Sequence, residues 1–357
     1  MKQKLQTATS DARVNLHDLA PAELEKTLAH SVSPPFRVRQ IAHWLHGQGV
    51  DSFESMSDLP RQVREQLATT YEIGFPEVQH RTEAAPDSSS KYLFRLADGG
   101  LIEAVYMPMG RRTTVCLSSQ AGCAVGCTFC VTGFFGAGRN LTPSEMVGQY
   151  QRIRIDHALS PENMNVVFMG MGEPLLNLEN VATTLEILTT EISHRRITLS
   201  TSGIIPGIEE LAALENRPNL AVSINAPDRE RREEIMPITR KYPLDELMGV
   251  LRAFPLERGR EITIEYVLIS GYNDSPSDAK ALAKLIRGFR SKVNAIPLNE
   301  DPNLPGWMKR PDDRAIDRFV DTLVSAGVAV TVRRSKGRDI AAACGQLRGR
   351  TERRRRS

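Results

Sequence analysis

Five cysteines stand at positions 116, 123, 127, 130 and 344 of a 357-residue chain. Four of them fall within fifteen residues, and the fifth lies alone near the C-terminus. An odd count argues against a fully paired disulfide framework. In a reducing compartment such residues serve as metal ligands or reactive thiols. Cys123, Cys127 and Cys130 form C-x-x-x-C-x-x-C within Ser118-Ser119-Gln120-Ala121-Gly122-Cys123-Ala124-Val125-Gly126-Cys127-Thr128-Phe129-Cys130. Three thiolates so spaced can hold three irons of one 4Fe–4S cluster and leave the fourth iron open to a small molecule. Gly122 and Gly126 allow tight turns around a bulky group. Structural zinc, with Cys116 as fourth ligand, is the alternative. Zinc sites usually pair two C-x-x-C modules across a spacer, and this loop has one. All seven histidines, the last at position 194, are distant in sequence from the loop.

Two further features could carry chemistry. Val166-Val167-Phe168-Met169 runs into Gly170-Met171-Gly172-Glu173-Pro174, and Gly-x-Gly at a strand end is by itself only a turn. Glu103 shares a strand face with Leu101, Val105 and Met107. A carboxylate there is either a sheet-edge device or an acid with a chemical task.

These groups need elements to hold them. From about residue 112, strand candidates alternate with helices: Thr113–Leu117, Asn165–Met169, Arg196–Ser200, Leu220–Ile224, Glu261–Ile269, Lys292–Leu298 and Val328–Arg333. The intervening helices are Pro143–Ile155, Leu178–Leu188, Ile208–Ala213, Leu244–Phe254, Ser277–Phe289 and Asp312–Ala326. Repeated βα units imply a parallel sheet or barrel, with functional groups at the C-terminal strand ends. Residues 76–108 read as a β extension, in which Lys91–Leu96 and Leu101–Met107 flank the hairpin signal Asp98-Gly99-Gly100. Residues 14–75 read as a small helical unit, with Leu16, Leu19, Leu24 and Leu28, then Val38, Ile41, Trp44 and Leu45, at helical spacing. Arg37, Arg39, Arg61 and Arg64 on these helices are either a solvated face or a phosphate-contacting one. Residues 1–13 read as a disordered N-terminus, 109–339 as the core, and 340–357 as a C-terminal loop and tail.

Composition narrows the class. With 41% hydrophobic and 25% charged residues, the chain is ordinary for a soluble enzyme. No apolar run reaches the roughly 18 residues of a membrane span, and the N-terminus lacks a signal-peptide core. A cytoplasmic monomer is the expectation. The net charge of +3 is uneven. Arg348 to Ser357 hold six arginines and one glutamate, or +5, which leaves −2 for the rest.

The motifs together carry a resemblance. TVCLSSQAGCAVGCTFCVTG, VVFMGMGEPLLN, LSTSGIIP, IEYVLISGYND and DIAAACGQL resemble the RlmN/Cfr family of radical S-adenosylmethionine (SAM) RNA methyltransferases, on the RlmN side, over about residues 14 to 349. The resemblance implies an α/β fold, a partial (βα)6 TIM-like barrel. It implies one 4Fe–4S cluster on Cys123, Cys127 and Cys130, with two SAM molecules used per turnover. SAM contacts carry over to Gly172, Glu173, Ser200, Ser223, Ile224, Asn225 and Asn299. Ser202 is left as a turn former. The implied target is carbon 2 of an adenine in 23S rRNA and in certain tRNAs. The implied electron donor is of the flavodoxin or ferredoxin kind. Cys344 becomes S-methylcysteine, and a 5′-deoxyadenosyl radical takes hydrogen from that methyl. Cys116 resolves the RNA adduct through a disulfide with Cys344, and Glu103 accepts a proton.

The chain departs from the family at named places. Ser223-Ile224-Asn225-Ala226-Pro227 replaces S-L-H-A-P, and LNEDPNLPG replaces W-N-P-F-P-G. Met109-Gly110 replaces a commonly acidic stretch. Glu300 and Asp301, so introduced, are expected to weaken phosphate contact. Two alternatives stand beside the leading reading: a diverged relative with another target, such as adenine carbon 8, and a non-catalytic zinc-containing RNA-binding protein.

Overall fold

The computed structural model describes residues 13–348 except 86–87, 334–336 and 338. The expected disordered N-terminus, but for residue 13, and the arginine run beyond Arg348 lie outside the described residues. Strands β1 (Val14–Asn15) and β2 (Tyr71–Glu72) pair in parallel and bracket helices α1 (Pro21–Ala29), α2 (Phe36–Ala42) and α3 (Arg61–Thr70). Leu24 and Leu28 lie one turn apart on α1 and meet Leu16, Ile41, Leu45 and Met56 in a core separate from that of the main sheet. The unit rests on α4 (Pro143–Asp156). The Asp18 carboxylate accepts from the Ser144 N–H at 2.7 Å, and Gln151 and Arg154 donate to the carbonyls of His46 and Gly47, each at 2.6 Å.

The main sheet has ten strands in sequential order: β3 (Glu77–Glu83), β4 (Ser90–Arg95), β5 (Leu101–Met109), β6 (Arg112–Cys116), β7 (Met164–Phe168), β8 (Ile197–Thr201), β9 (Asn219–Ser223), β10 (Ile262–Leu268), β11 (Ser291–Pro297) and β12 (Ala329–Val332). Strands β3 to β6 pair antiparallel, and β6 to β12 pair in parallel. Helices α4, α5 (Leu178–Leu188), α6 (Ile205–Ala213), α7 (Arg229–Ile235), α8 (Leu244–Ala253), α9 (Pro276–Leu285) and α10 (Asp313–Ser325) form the crossovers. Each parallel neighbour follows in sequence, which is barrel winding, and β3 and β12 remain edges, so the barrel is partial. Among the described residues the parallel strands number seven, one more than the six implied by the resemblance.

The β extension is continuous with the barrel, because β5 pairs with β6. Strand β5 is therefore interior, which overturns the sheet-edge reading of Glu103. Besides the short pair β1 and β2, two longer elements escaped the sequence reading. Edge strand β3, Glu-Val-Gln-His-Arg-Thr-Glu, has no buried residue and hence no apolar stripe. Helix α7, Arg-Glu-Arg-Arg-Glu-Glu-Ile, lacks apolar periodicity and is fixed by its cap, where the Asp228 carboxylate accepts from the Arg231 N–H at 2.9 Å. Among the described residues no helix is long and apolar enough to cross a membrane.

Candidate functional site

The C-terminal ends of the parallel strands converge on one cavity of about 1010 Å³, open at its mouth. Cys116 ends β6, and the loop after it carries Cys123, Cys127 and Cys130 to the cavity wall. Gly122 has φ +156°, and a Cβ there would stand 2.5 Å from the Gly136 carbonyl oxygen. The loop is stitched to the one after β7. Ser118 Oγ donates to the Glu103 carbonyl at 2.6 Å and accepts from the Met171 N–H at 2.8 Å, while Gln120 Oε1 accepts from the Glu173 N–H at 2.8 Å. Gly172, at φ +102°, lies so close to Gln120 that a Cβ would sit 2.6 Å from Gln120 Cβ. A side chain at position 172 would collide with Gln120.

Burial pushes the Cys123 thiol up to about 12, and Cys127 and Cys130 are raised by the same cause. Cys130 adds repulsion on Cys123 and Cys127. Three crowded thiols ionise together only with a cationic partner among them. Among the described residues no three His, Cys, Asp or Glu converge tightly enough for a single ion. The loop offers three thiols while Cys116 lines the neighbouring cavity, a set that suits three irons of a cluster better than a four-ligand zinc site.

Glu173 lies beside these cysteines on the same wall. Its Oε2 accepts from both the N–H and the hydroxyl of Ser202 at 2.7 Å, and its Oε1 accepts from the Leu175 N–H at 3.1 Å. Burial raises its carboxyl above the ordinary value, and these donors oppose the rise. Ser202 is thus not a mere turn former: it lines the cavity and orients Glu173. Beneath it sits Arg232, fully buried, donating to the carbonyls of Ser202 at 2.7 Å and Ser223 at 3.0 Å and to Thr239 Oγ1 at 2.6 Å. Burial pulls its guanidinium down to about 10, against the pull of Cys127. Nothing in a run of alternating charges distinguishes Arg232 from its exposed neighbours.

Ser200, Ser223 and Asn299 line the same cavity. Ile224 and Asn225 are not on its wall. Asn225 is buried at φ +58°, its Oδ1 accepts from the Val267 N–H at 2.8 Å, and its Nδ2 points to Met236 Sδ. That side chain braces β9 against β10.

A second cavity, of about 1140 Å³, lies against the first, with Cys116, Thr114, Thr198 and Thr263 on its wall. Cys344, Glu265, Arg333, Met169 and Leu347 line both. Cys344 therefore stands at the junction, with cluster-loop cysteines on one side and Cys116 on the other. Cys116 and Cys344 are both free thiols. Cys344 is open to the cavities, yet protein atoms crowd it and burial raises its thiol, as burial pushes Cys116 up to about 12. The nearby Arg333 guanidinium opposes both shifts. Glu265, 5% exposed, accepts from Asn294 Nδ2 at 2.8 Å; it lies in IEYVLISGYND but was given no role there, and Arg333 lies in none of the quoted motifs.

Glu103 lines neither cavity. It is 4% exposed, with Oε1 3.0 Å from Lys91 Nζ and Oε2 accepting from the Arg348 N–H at 2.7 Å. It thus engages the segment that follows Cys344. Glu300 and Asp301 also differ from expectation. The Asp301 carboxylate is buried against Arg348, and Glu300 Oε1 accepts from the Arg310 N–H at 2.9 Å. These acids serve the fold and do not both face solvent as free charge.

Comparison with known proteins agrees with this geometry. Residues 117–285 match the family model for the radical SAM superfamily, and residues 14–73 match that for the N-terminal domain of ribosomal RNA large subunit methyltransferases. The dual-specificity RNA methyltransferase RlmN of Anaeromyxobacter dehalogenans is 45% identical, over 94% of this chain and 92% of that one. The RlmN of Geotalea uraniireducens is 45% identical, over 95% and 98%. The crystal structure of a radical SAM methyltransferase from Sphaerobacter thermophilus superposes with a TM-score of 0.88 at 43% identity, covering 94% of this chain and 100% of that one. The chain belongs to the RlmN family of radical SAM RNA methyltransferases.

Proposed function

We propose that this protein methylates carbon 2 of an adenine in 23S rRNA, and of certain tRNAs, with Cys344 as the intermediate methyl carrier. The observation that carries the reading is the position of Cys344 between the cavity of Cys123, Cys127 and Cys130 and the cavity of Cys116. Carbon 2 of adenine is electron-poor, and so is the methyl of SAM, so direct polar transfer between them is unfavourable. A thiolate can take the methyl first: the Cys344 sulfur attacks the methyl carbon, the sulfonium C–S bond breaks, and S-adenosylhomocysteine leaves. A cluster held by Cys123, Cys127 and Cys130, with a second SAM and one electron from a flavodoxin- or ferredoxin-type donor, supplies the radical that activates the carried methyl.

The chain's own residues do the rest. Glu173, held by Ser202 and Leu175, offers a fixed acceptor for an ammonium group of SAM. Ser200, Ser223 and Asn299 supply polar contacts around it. Arg333 favours the thiolate forms of Cys344 and Cys116. Cys116 is the thiol that releases the product: its sulfur bonds to the Cys344 sulfur, the C–S bond from Cys344 to the transferred carbon breaks, and that carbon keeps the electron pair and takes a proton to become the methyl group. Glu103 takes up the proton from the adenine once the C-terminal segment frees it. A cytoplasmic monomer acting on RNA through residues 14–75 completes the reading.

The test is twofold. Anaerobically reconstituted enzyme given methyl-labelled SAM should carry the label on Cys344, in a preparation that is brown and holds about four irons per chain. Nucleosides of rRNA and tRNA from a deletion strain should lose 2-methyladenosine. An unchanged 2-methyladenosine level with loss of 8-methyladenosine moves the target to carbon 8. Colourless protein with one tightly held zinc refutes the cluster.

A further inference from the structure

Among the described residues Cys344 has no side-chain hydrogen bond, and its position is inherited from its neighbours. Those neighbours are pegged one after another. Asn299 Nδ2 donates to the Cys344 carbonyl at 3.1 Å, and the Val131 N–H donates to the Gly345 carbonyl at 2.7 Å. Gln346 Nε2 donates to the Glu300 carbonyl at 3.0 Å, and Thr132 Oγ1 donates to the Leu347 carbonyl at 2.8 Å. The chain of pegs ends at Arg348, whose Nη2 meets Asp301 Oδ2 at 2.5 Å.

This last contact is one of two that Arg348 makes to a buried carboxylate, the other being its N–H to Glu103 Oε2 at 2.7 Å. It is a charge-assisted bond, the strongest class of hydrogen bond. The Asp301 side chain is 2% exposed, so water screens the pair little. Asp301 is also set beforehand: its Oδ1 accepts from the N–H and Nδ2 of Asn303 at 2.9 and 2.7 Å, which leaves Oδ2 aimed at the segment. It stands in Leu298-Asn299-Glu300-Asp301-Pro302, the stretch that the resemblance sets apart from W-N-P-F-P-G.

We propose that Asp301 is a positioning residue for Cys344. By holding Arg348 it docks residues 344–348 across the turn after Cys130 and so fixes the Cys344 sulfur at the junction of the two cavities. The proposal rests on the reading of Cys344 as methyl carrier. The acid at this position thereby acts on the first half-reaction, before RNA is present.

The experiment uses full-length, anaerobically reconstituted enzyme without RNA. Two rates are measured for the wild type, Asp301→Asn, Asp301→Glu and Arg348→Ala: methyl uptake from labelled SAM, located by peptide sequencing, and alkylation of Cys344 by iodoacetamide. Asp301→Asn keeps the Oδ1 acceptor for Asn303 but removes the charge and puts an NH2 donor where Oδ2 accepts from Arg348. It should slow methyl uptake at Cys344 at least tenfold and speed its alkylation, with the visible spectrum of the cluster unchanged. Asp301→Glu should restore part of both, and Arg348→Ala should match Asp301→Asn, with no further loss in the double variant. Wild-type values for both rates in Asp301→Asn and Arg348→Ala overturn the proposal. Label on a residue other than Cys344 in the wild type overturns the methyl-carrier reading instead, and the alkylation rates still decide whether the dock exists.

Discussion

A buried thiol is a poor nucleophile until something offsets the cost of its charge, and here that something is Arg333. Burial pushes Cys116 up to about 12 and raises Cys344, while Arg333 draws both back. Thiolate fraction sets the alkylation rate below the thiol's pKa. Replacing Arg333 with Met should therefore move the pH–rate profile for Cys344 alkylation to higher pH. At pH 8 the rate should fall about tenfold for every pH unit by which the profile moves. Arg333→Lys should keep most of the effect. An unmoved profile in Arg333→Met would show that the guanidinium is not the electrostatic lever. The site's thiols were legible because C-x-x-x-C-x-x-C is a spacing rule. Arg333 and Arg232 were not, because an arginine at a strand end or in a charged run looks the same whether it is buried or solvated. Ser202 was passed over for a related reason: its worth lies in the carboxylate it meets, Glu173, some thirty positions away.

At the scale of elements, the parallel strands were legible because each is a short apolar run bounded by turn residues, while β3 and α7 carry no such stripe. The N-terminal unit shows what its helices hide. His17 is fully buried, with Nε2 3.0 Å from the Val50 carbonyl and its ring 4.2 Å from that of Phe75. Burial pulls His17 down to about 3 and His46 to about 4. Both are neutral in the folded unit, whereas the unfolded chain protonates near 6.5. Below that pH the unfolded state binds more protons, so stability falls as pH drops from about 6.5 towards 4. At pH 5 the loss is about 2 kcal/mol per histidine. Hydrogen exchange in α1 to α3, corrected for intrinsic rate, should lose protection between pH 7.5 and pH 5, with the strands of the main sheet as internal reference. Equal loss in both regions would place the acid sensitivity elsewhere.

At the scale of the whole molecule, the question is how a nearly neutral protein engages RNA. The arginines of the helical unit are partly engaged within it, though among the described residues only Arg61 meets a carboxylate. Arg61 pairs with Glu65 at 2.8 Å, Arg64 donates to the Glu54 carbonyl at 2.7 Å, and Arg37 donates to the Ser33 carbonyl. Arg348, first of the terminal arginines, is committed to Asp301. Residues 349–357 hold five arginines and one glutamate, a net +4 against +3 for the whole chain. Without them the protein is slightly acidic, so these nine residues should add a share of the phosphate term to the contact proposed for residues 14–75. A chain ending at Arg348 should bind RNA with a shallower salt dependence, its slope of log K against log salt smaller by about 3, from roughly 0.7 per contact on single strands. Because Arg348 remains, the dock on Asp301 remains too, and methyl uptake by Cys344 in the absence of RNA should be unchanged. A truncated chain with the wild-type slope would assign RNA contact to the body. One that also lost methyl uptake would show that the tail acts on the Cys344 segment and not on phosphate.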